Sequence, residues 1–428
     1  MMPEYFSLRA LLYQVDIPAR VEIFLPDALQ EPGWEFSLIC YNEHRRNHAG
    51  EGPTSETVYD LPLQRQSEDC LALDFCPYCE GEYTLAVTAQ KGEQSLNALL
   101  NVYSLPADWF ALNPYKGNPH CHSNASDGTC SPAELAAKSR AVGFDFLAIT
   151  DHHYWQAPLT EPQFVNAGMT FIAGEEVHPI AGGAIHLLSL GAPESVTAWQ
   201  HNHEPEYRQL VAERLQKYDG QPEHERLQAA ICDVLLDKIR EIGGLSVYCH
   251  PYWRCNAGLS HYNATPLLNE LVFKSNRFDA LELGNCETYR TALMNARYCE
   301  LCRDGFQKPL LGASDYHNRY DDEALSSVYT IVLAPECTQE AVCQAIRREN
   351  CAAVAGNSEV MPFGSFRLLK YVLFLLKYFF PQHDRLCRQQ GELLLRALQG
   401  EDVSLEIQGL QQKITAWQKA LKYSPAGR

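Results

Sequence analysis

Residues 146–153 read Phe-Leu-Ala-Ile-Thr-Asp-His-His, a short apolar run that stops abruptly in ionisable side chains. Unbroken apolar runs of this length suit a strand buried on both faces of a parallel sheet. In a barrel, chemistry gathers where such strands end, which makes His152 a candidate metal ligand. Thr150 and Asp151 equally suit capping of the next element, a duty Asp151 can perform while His152 binds metal.

The same arrangement recurs on both sides of this run. Downstream, Phe171-Ile-Ala-Gly leads into Glu175, Glu176, Val177 and His178. Neighbouring strand residues face opposite ways, so one glutamate enters a barrel, and we read Glu176 as a bridging carboxylate. Glu175 is then a supporting or surface group, and His178, on the face of Glu176, a candidate for substrate contact. His186 stands in the run 184–190, His250 follows 245–249, and Leu310-Leu-Gly-Ala-Ser leads to Asp315 and His317, two apart and projecting to one side. Upstream, His120-Cys-His122 sends two imidazoles to one side of an extended strand, and Asp127 follows in a Ser-Asp-Gly turn suited to folding its carboxylate back. An HxH pair or a single buried histidine is more often structural than ligating. Repetition at successive strand ends decides for one shared multinuclear site of His120, His122, Asp127, His152, Glu176, His186, His250, Asp315 and His317. Imidazole and carboxylate donors suit Zn, Mn or Fe.

Further outward, candidate strands at 146–150, 170–174, 184–190, 245–249, 280–284, 310–313, 328–333 and 352–355 alternate with helical patterns. Ser131 followed by Glu134 forms a capping box, and 338–349 is a second amphipathic stretch. Repeated βα units favour an α/β fold whose parallel sheet closes into a barrel over 113–357. The charged, helix-favouring stretch at about 196–241 reads as an inserted helical cap. Before the barrel, brief apolar stretches bounded by turn residues predict a β-rich, sandwich-like accessory domain over 1–110. After it, 358–428 reads as a C-terminal helical segment. Its apolar run 366–380 contains Lys370 and Lys377 and stops at Pro381, short of the roughly 20 residues a bilayer requires, so it suits a buried or dimer-forming helix and a homo-oligomer through the C-terminal helices.

With 428 residues, 46% of them hydrophobic, the chain has ample core for two or three domains. A formal charge of −18 argues against an extended nucleic-acid surface or a general grip on anionic membrane, since both need a basic face. The stretch MMPEYFSLRALLYQVD lacks the basic leader and apolar core of a secretory signal, and sixteen dispersed cysteines suit a reducing compartment. A cytoplasmic protein is expected.

Taken in order, HCHSNASDG (120–128), AITDHH (148–153), GEEV (174–177), IHLLSLG (185–191), CHPYW (249–253) and GASDYHN (312–318) resemble the successive motifs of the PHP (polymerase and histidinol phosphatase) superfamily of metal-dependent phosphoesterases. The resemblance covers about residues 113–357. It implies a distorted (β/α)7 barrel with a trinuclear site at the strand C-termini. Carried over by position, His120, His122, Glu176 and Asp315 would hold one ion, Glu176 would bridge to a second held by His186 and His250, and Asp127, His152 and His317 would hold the third. Pro119 replaces the usual leucine before the first ligand, and Glu175 the usual apolar residue.

The resemblance implies a phosphoesterase acting on a small phosphorylated metabolite or nucleotide. Clustered dications acidify bound water toward a pKa of roughly 7 and clamp phosphoryl oxygens, so no protein nucleophile is needed. Arg254, four residues after His250, is a candidate for steadying a substrate phosphate through its planar fork, against a surface arginine paired with the acidic exterior. His153 is a candidate for protonating the leaving group or for hydrogen-bonding a ligand. The preceding β domain is also similar to that of a subgroup hydrolysing amide or carbamate bonds, which keeps a non-phosphate hydrolase in view. A non-catalytic binding or regulatory PHP domain is the third reading, opposed by the complete ligand set.

Other signals are discounted. Cys76-Pro-Tyr-Cys79 and Cys299-Glu-Leu-Cys302 have CxxC spacing without a second pair nearby. His201-Asn-His203-Glu opens the charged insertion, where a solvated helix start explains it. Arg367, Lys370, Arg385 and Arg388 read as a solvated helix face.

Overall fold

The computed structural model describes residues 6–43, 59–180, 182–254, 262–284, 288–318, 320–356 and 359–424. The boundary read at 357–358 and residues 1–5 of the N-terminal stretch lie outside the described residues. The chain is a mixed α/β protein of two units: one comprises Met1–Asn113, Leu373–His383 and Lys413–Arg428, the other Pro114–Val372 and Asp384–Gln412.

The first unit is built on alternation. Along Gly81–Lys91 the residues Tyr83, Leu85, Val87 and Ala89 are buried while those between them are partly exposed, the period-2 pattern of a sheet with one face on a core. This strand belongs to a five-stranded sheet ordered Leu12–Gln14, Gln94–Leu105, Gly81–Lys91, Glu35–Asn42 and Tyr59–Asp60. A four-stranded sheet, ordered Ser7–Leu8, Ala19–Phe24, Cys70–Phe75 and Gln64–Arg65, contributes Val21, Ile23, Leu71, Leu73 and Phe75 to the same core. Two sheets sharing one apolar layer make a β-sandwich.

The second unit carries two further sheets. The six-stranded one is ordered Thr170–Ile172, Phe146–Ala148, Asn113–Asn118, Val328–Ala334, Cys351–Ala355 and Met361–Phe363. The five-stranded one is ordered Gly174–Val177, Leu187–Leu190, Leu245–Tyr248, Ala280–Glu282 and Leu310–Leu311. Asn113–Asn118, Phe146–Ala148 and Thr170–Ile172 run parallel, as do Leu245–Tyr248, Ala280–Glu282 and Leu310–Leu311.

The parallel expectation fails at two places. Leu187–Leu190 is antiparallel to both neighbours, and Cys351–Ala355 is antiparallel to Val328–Ala334 and Met361–Phe363. For Leu187–Leu190 the cause is connection length: the link from Val177 is shorter than the dozen or so residues a parallel crossover needs. His186 therefore precedes its strand, and reversal of that strand brings its start beside the end of Leu245–Tyr248.

Hydrogen bonds also run past the ladders. His122 N–H donates to Tyr316 O at 2.8 Å, Asp315 N–H to His120 O at 3.1 Å and Thr150 N–H to Cys121 O at 2.8 Å. Parallel bridges pair Cys121 with Tyr316 and His152 with Glu176. The backbone segments that carry the candidate ligands are thus stitched to one another.

Helices follow their local signals. Ser131 accepts from Glu134 N–H at 3.2 Å to open Pro132–Ala141, and Thr338 accepts from Ala341 N–H at 3.2 Å to open Gln339–Arg347. Over 196–241 the chain forms Val196–Asn202, Glu204–Leu215 and Glu223–Glu241, whose Trp199, Tyr207, Val211 and Leu235 share a core with Leu187, Leu281 and Leu310. Arg140 lies buried in this unit, donating to Asp145 Oδ1 (2.9 Å), Gln390 Oε1 (2.7 Å), Phe144 O (3.0 Å) and Ala167 O (3.2 Å). The C-terminal helices are Phe366–Tyr378, Phe380–Leu398 and Ser404–Ala420, and Pro381 occupies the first turn of the second, where its missing N–H costs nothing. Leu368, Tyr371, Val372 and Leu375 are buried. Among the described residues no helix is long and apolar enough to cross a membrane.

Candidate metal centre

Three devices aim the ligands. Asn118 Oδ1 accepts from His120 N–H (3.1 Å) and Ser314 N–H (3.3 Å), and its Nδ2 donates to Ser314 Oγ (2.6 Å), joining the segment of His120 to that of Asp315. Asp151 is fully buried and accepts from Ser123 N–H, Ser123 Oγ and Ser126 Oγ, each at 2.7 Å. It thereby folds the loop that carries Asp127. In that loop a Cβ on Gly128 would stand 2.2 Å from His122 O, so only glycine permits the approach. The third device is backbone conformation: the ligands His250 and Asp315, and His153 beside His152, have φ of 29°, 53° and 56°, a left-handed region that non-glycine residues seldom adopt.

These devices bring all nine sequence-derived residues together. Glu176 is their centre, fully buried, with its two oxygens facing different partners. Oε2 lies 3.2 Å from His120 Nε2, 3.1 Å from His122 Nε2 and 3.1 Å from His152 Nδ1. Oε1 lies 2.8 Å from His186 Nδ1 and 3.1 Å from His250 Nε2. Asp315 Oδ1 stands 3.3 Å from His120 Nε2 and 3.2 Å from His122 Nε2. Asp127 approaches His317 Nε2 at 3.3 Å, His152 Nε2 at 3.6 Å and His122 Nδ1 at 3.7 Å. Its side chain is 58% exposed whereas those of His120 and Glu176 are wholly buried, so the site opens to solvent on the Asp127 side.

The electrostatics follow from this crowding. Burial disfavours a charged His120, yet Asp315, Glu282 and Glu176 outweigh it and raise its pKa well above the usual imidazole value. Burial likewise opposes protonation of His122, but hydrogen bonds to Asp315 and Glu176 raise it to about 9. Glu176 and Asp315, though buried, are held well below the usual carboxylate range, by His120 and His186 for the first and chiefly by His120 and His122 for the second. His178 goes the other way, down to about 2, through burial and then the neighbouring His186. The protein has assembled an acceptor-rich pocket that attracts positive charge.

The donor set fits divalent cations. One ligand atom each from His120, His122, Glu176 and Asp315 lie mutually within 4.8 Å, and so do those from His122, Asp127, His152 and His317. Two donors at about 2.0–2.2 Å from one ion are at most about 4.4 Å apart. The imidazole nitrogens His120 Nε2 and His122 Nε2 face each other at 3.1 Å, and His122 Nδ1 and His178 Nε2 are buried without a hydrogen-bond partner. Nitrogens left without a hydrogen bond among these carboxylates fit a site that takes cations.

Two residues the sequence reading passed over belong here. Glu282, at the end of Ala280–Glu282, is fully buried with Oε2 2.8 Å from His120 Nδ1. Its signal was a single acid in the middle of the candidate strand 280–284. Cys249 places its Sγ 3.6 Å from Glu176 Oε1. Glu175 points away from the ligands, accepting from Ser195 Oγ at 2.8 Å and from Val196 N–H at the start of Val196–Asn202. Arg254 Nη2 reaches Tyr262 OH at 3.5 Å, and the preceding Trp253 packs its ring 5.7 Å from His250 and 5.8 Å from His186. His153 is exposed, its ring 4.9 Å from that of His178. His201 and His203 are exposed at a helix end, and Cys76, Cys79, Cys299 and Cys302 are free thiols.

No family model matches the chain. A stretch of 74 residues, 17% of this chain, is 38% identical to a 5'-3' exoribonuclease of Haemophilus influenzae and spans 27% of that protein's length. Among solved structures the chain is similar to a two-domain protein of Bacteroides vulgatus containing a predicted PHP-like metal-dependent phosphoesterase, at 16% identity over 62% of this chain and 70% of that one, with a TM-score of 0.40. It is also similar to an amidohydrolase of Chromobacterium violaceum with bound sulfate and no metal, at 19% identity over 48% of this chain and 89% of that one, with a TM-score of 0.32.

Proposed function

We propose that this chain is a PHP-type metal-dependent hydrolase, and specifically a phosphoesterase for a small phosphorylated metabolite or nucleotide. The observation that carries the reading is Glu176, whose Oε2 faces His120, His122 and His152 while Oε1 faces His186 and His250, as a bridging carboxylate requires. In this reading His120, His122, Glu176 and Asp315 would hold one ion, Glu176, His186 and His250 a second, and Asp127, His152 and His317 a third, from among Mn, Zn and Fe. The bridges Cys121–Tyr316 and His152–Glu176 support a ring of seven staves, the distorted (β/α)7 barrel, with the ligands at one end.

Bound divalent ions supply Lewis acidity, acidify water and neutralise phosphoryl oxygens. The chain supplies the rest. Glu282 takes the Nδ1 proton of His120 in a hydrogen bond and so presents the Nε2 lone pair to the cluster. Asp151 and Asn118 fix the loops of Asp127 and Asp315. Arg254, positioned beside Trp253, orients the substrate phosphate, and His153 delivers a proton to the leaving group from the solvent side. The match to an exoribonuclease favours phosphate esters over amides.

Purified protein loaded with Mn or Zn and offered an aryl phosphate, an aryl ester and an anilide tests the proposal. Turnover of the phosphate alone is expected; turnover of only the ester or anilide overturns it.

A further inference from the structure

We infer that His178 is a tenth protein ligand, its Nε2 joining Glu176 Oε1, His186 and His250 around one ion. This rests on the metal reading above and deepens it, replacing the role in substrate contact expected for His178 from the sequence.

Register brings His178 into place. Val177 pairs with Leu187 in an antiparallel ladder, so the next residues, His178 and His186, meet at its end. Alternation sets His178 on the face of Glu176. Their rings meet as expected: the His178 centroid lies 3.9 Å from that of His186, with the planes tilted at 37°, and 4.6 Å from that of His152. Its Nε2 stands 3.9 Å from Glu176 Oε1, too far for a hydrogen bond, and has no hydrogen-bond partner although buried.

Distance separates ligation from mere packing. Two donors on one ion, each at about 2.0–2.2 Å, are separated by about 3 Å at right angles and by at most about 4.4 Å. The 3.9 Å gap between His178 Nε2 and Glu176 Oε1 falls inside that interval, and His186 and His250 approach the same oxygen at 2.8 and 3.1 Å, near its right-angle end. One ligand atom each from His152, Glu176 and His178 also lie mutually within 4.8 Å. With His178 this position would have four protein donors, and such a fully protein-held ion would serve structure more than substrate. Substrate is then left to the ions on the exposed Asp127 side.

Metal titration of the full chain tests the inference without recourse to activity. His178→Ala and the closer-fitting His178→Asn should each lose one ion per chain at stoichiometric loading, or bind it at least ~100-fold more weakly, an effect beyond the 10–100-fold expected of a residue that only braces a ligand. In Co2+-loaded protein the visible bands of one site should shift and weaken in both variants. Undiminished stoichiometry and affinity in the Asn variant, with an unchanged Co2+ spectrum, overturn the inference alone, and a rise confined to KM points to substrate contact instead. Wild-type protein that binds no Co2+ or Zn2+ overturns the metal reading itself.

Discussion

His120 Nδ1 lies 2.8 Å from Glu282 Oε2, and both side chains are wholly buried. A carboxylate on the far nitrogen of an imidazole fixes its tautomer and raises its basicity toward a cation. Glu282→Gln should therefore weaken metal binding about 10–100-fold while the fold persists. Competition with a chromophoric chelator measures this, and unaltered affinity would remove Glu282 from the site.

Glu176 is the acid that the other ligands share. Replacing it with Gln removes the charge facing five histidines, so bound metal should fall by at least one ion per chain and hydrolysis by about 1,000-fold or more, as when one member of a catalytic unit is removed. Elemental analysis beside a rate assay reads both.

Acidity should act on the chelator-treated protein with a definite sign. His122 is raised to about 9 in the folded chain, above an unfolded value near 6.5, so its stabilisation is complete below pH about 6.5 and lost as pH rises through about 9. Glu176 and Asp315 are depressed, so their stabilisation is present above pH about 4 and lost on acidification. His178, pushed down to about 2 by burial, loses its contribution as pH falls below about 6.5, so melting temperatures of this protein should peak near neutral pH, falling on acidification and again toward 9. Metal affinity should rise over the same alkaline interval, because His120 and His122 must shed protons to bind, and calorimetry in two buffers should detect their release.

Asp151 is not among the candidate ligands, yet three hydrogen bonds from Ser123 and Ser126 end on its carboxylate. Asp151→Ala should cost about 2–4 kcal/mol and lower metal occupancy by loosening the loop of Asp127. Denaturant unfolding and metal content together test it; loss of neither makes that loop self-sufficient.

Arg140 offers a control remote from the chemistry. Removing a guanidinium that satisfies Asp145, Gln390 and two backbone carbonyls leaves a buried carboxylate exposed to its own desolvation, at about 3–5 kcal/mol. The unfolding midpoint of Arg140→Ala should drop sharply, while the metal affinity of the folded fraction holds.

Much of the centre is legible in the sequence. His152 after 146–150 and Asp315 after 310–313 are visible because buried strands are written in unbroken apolar residues, and an ionisable side chain at their end is conspicuous. Glu282 stands inside the run 280–284, not at its end, and has no histidine neighbour to mark it. Glu175 was read as a supporting or surface group, and its buried duty at Val196–Asn202 depends on a helix that arrives 20 residues later.

Residue chemistry and hydrophobic period are local properties, and from them alone came the alternation of strands and helices, the β-rich beginning and the nine candidate ligands. Direction and partnership are not local. Reversal of Leu187–Leu190 follows from a connection too short for a crossover, and it carries His186 to the rim beside His178 and His250. The pairing of Glu282 with His120, 162 residues away, exists only once the intervening chain has folded. Burial then turns these separate side chains into one site, because removing water makes each carboxylate seek the nearest positive charge.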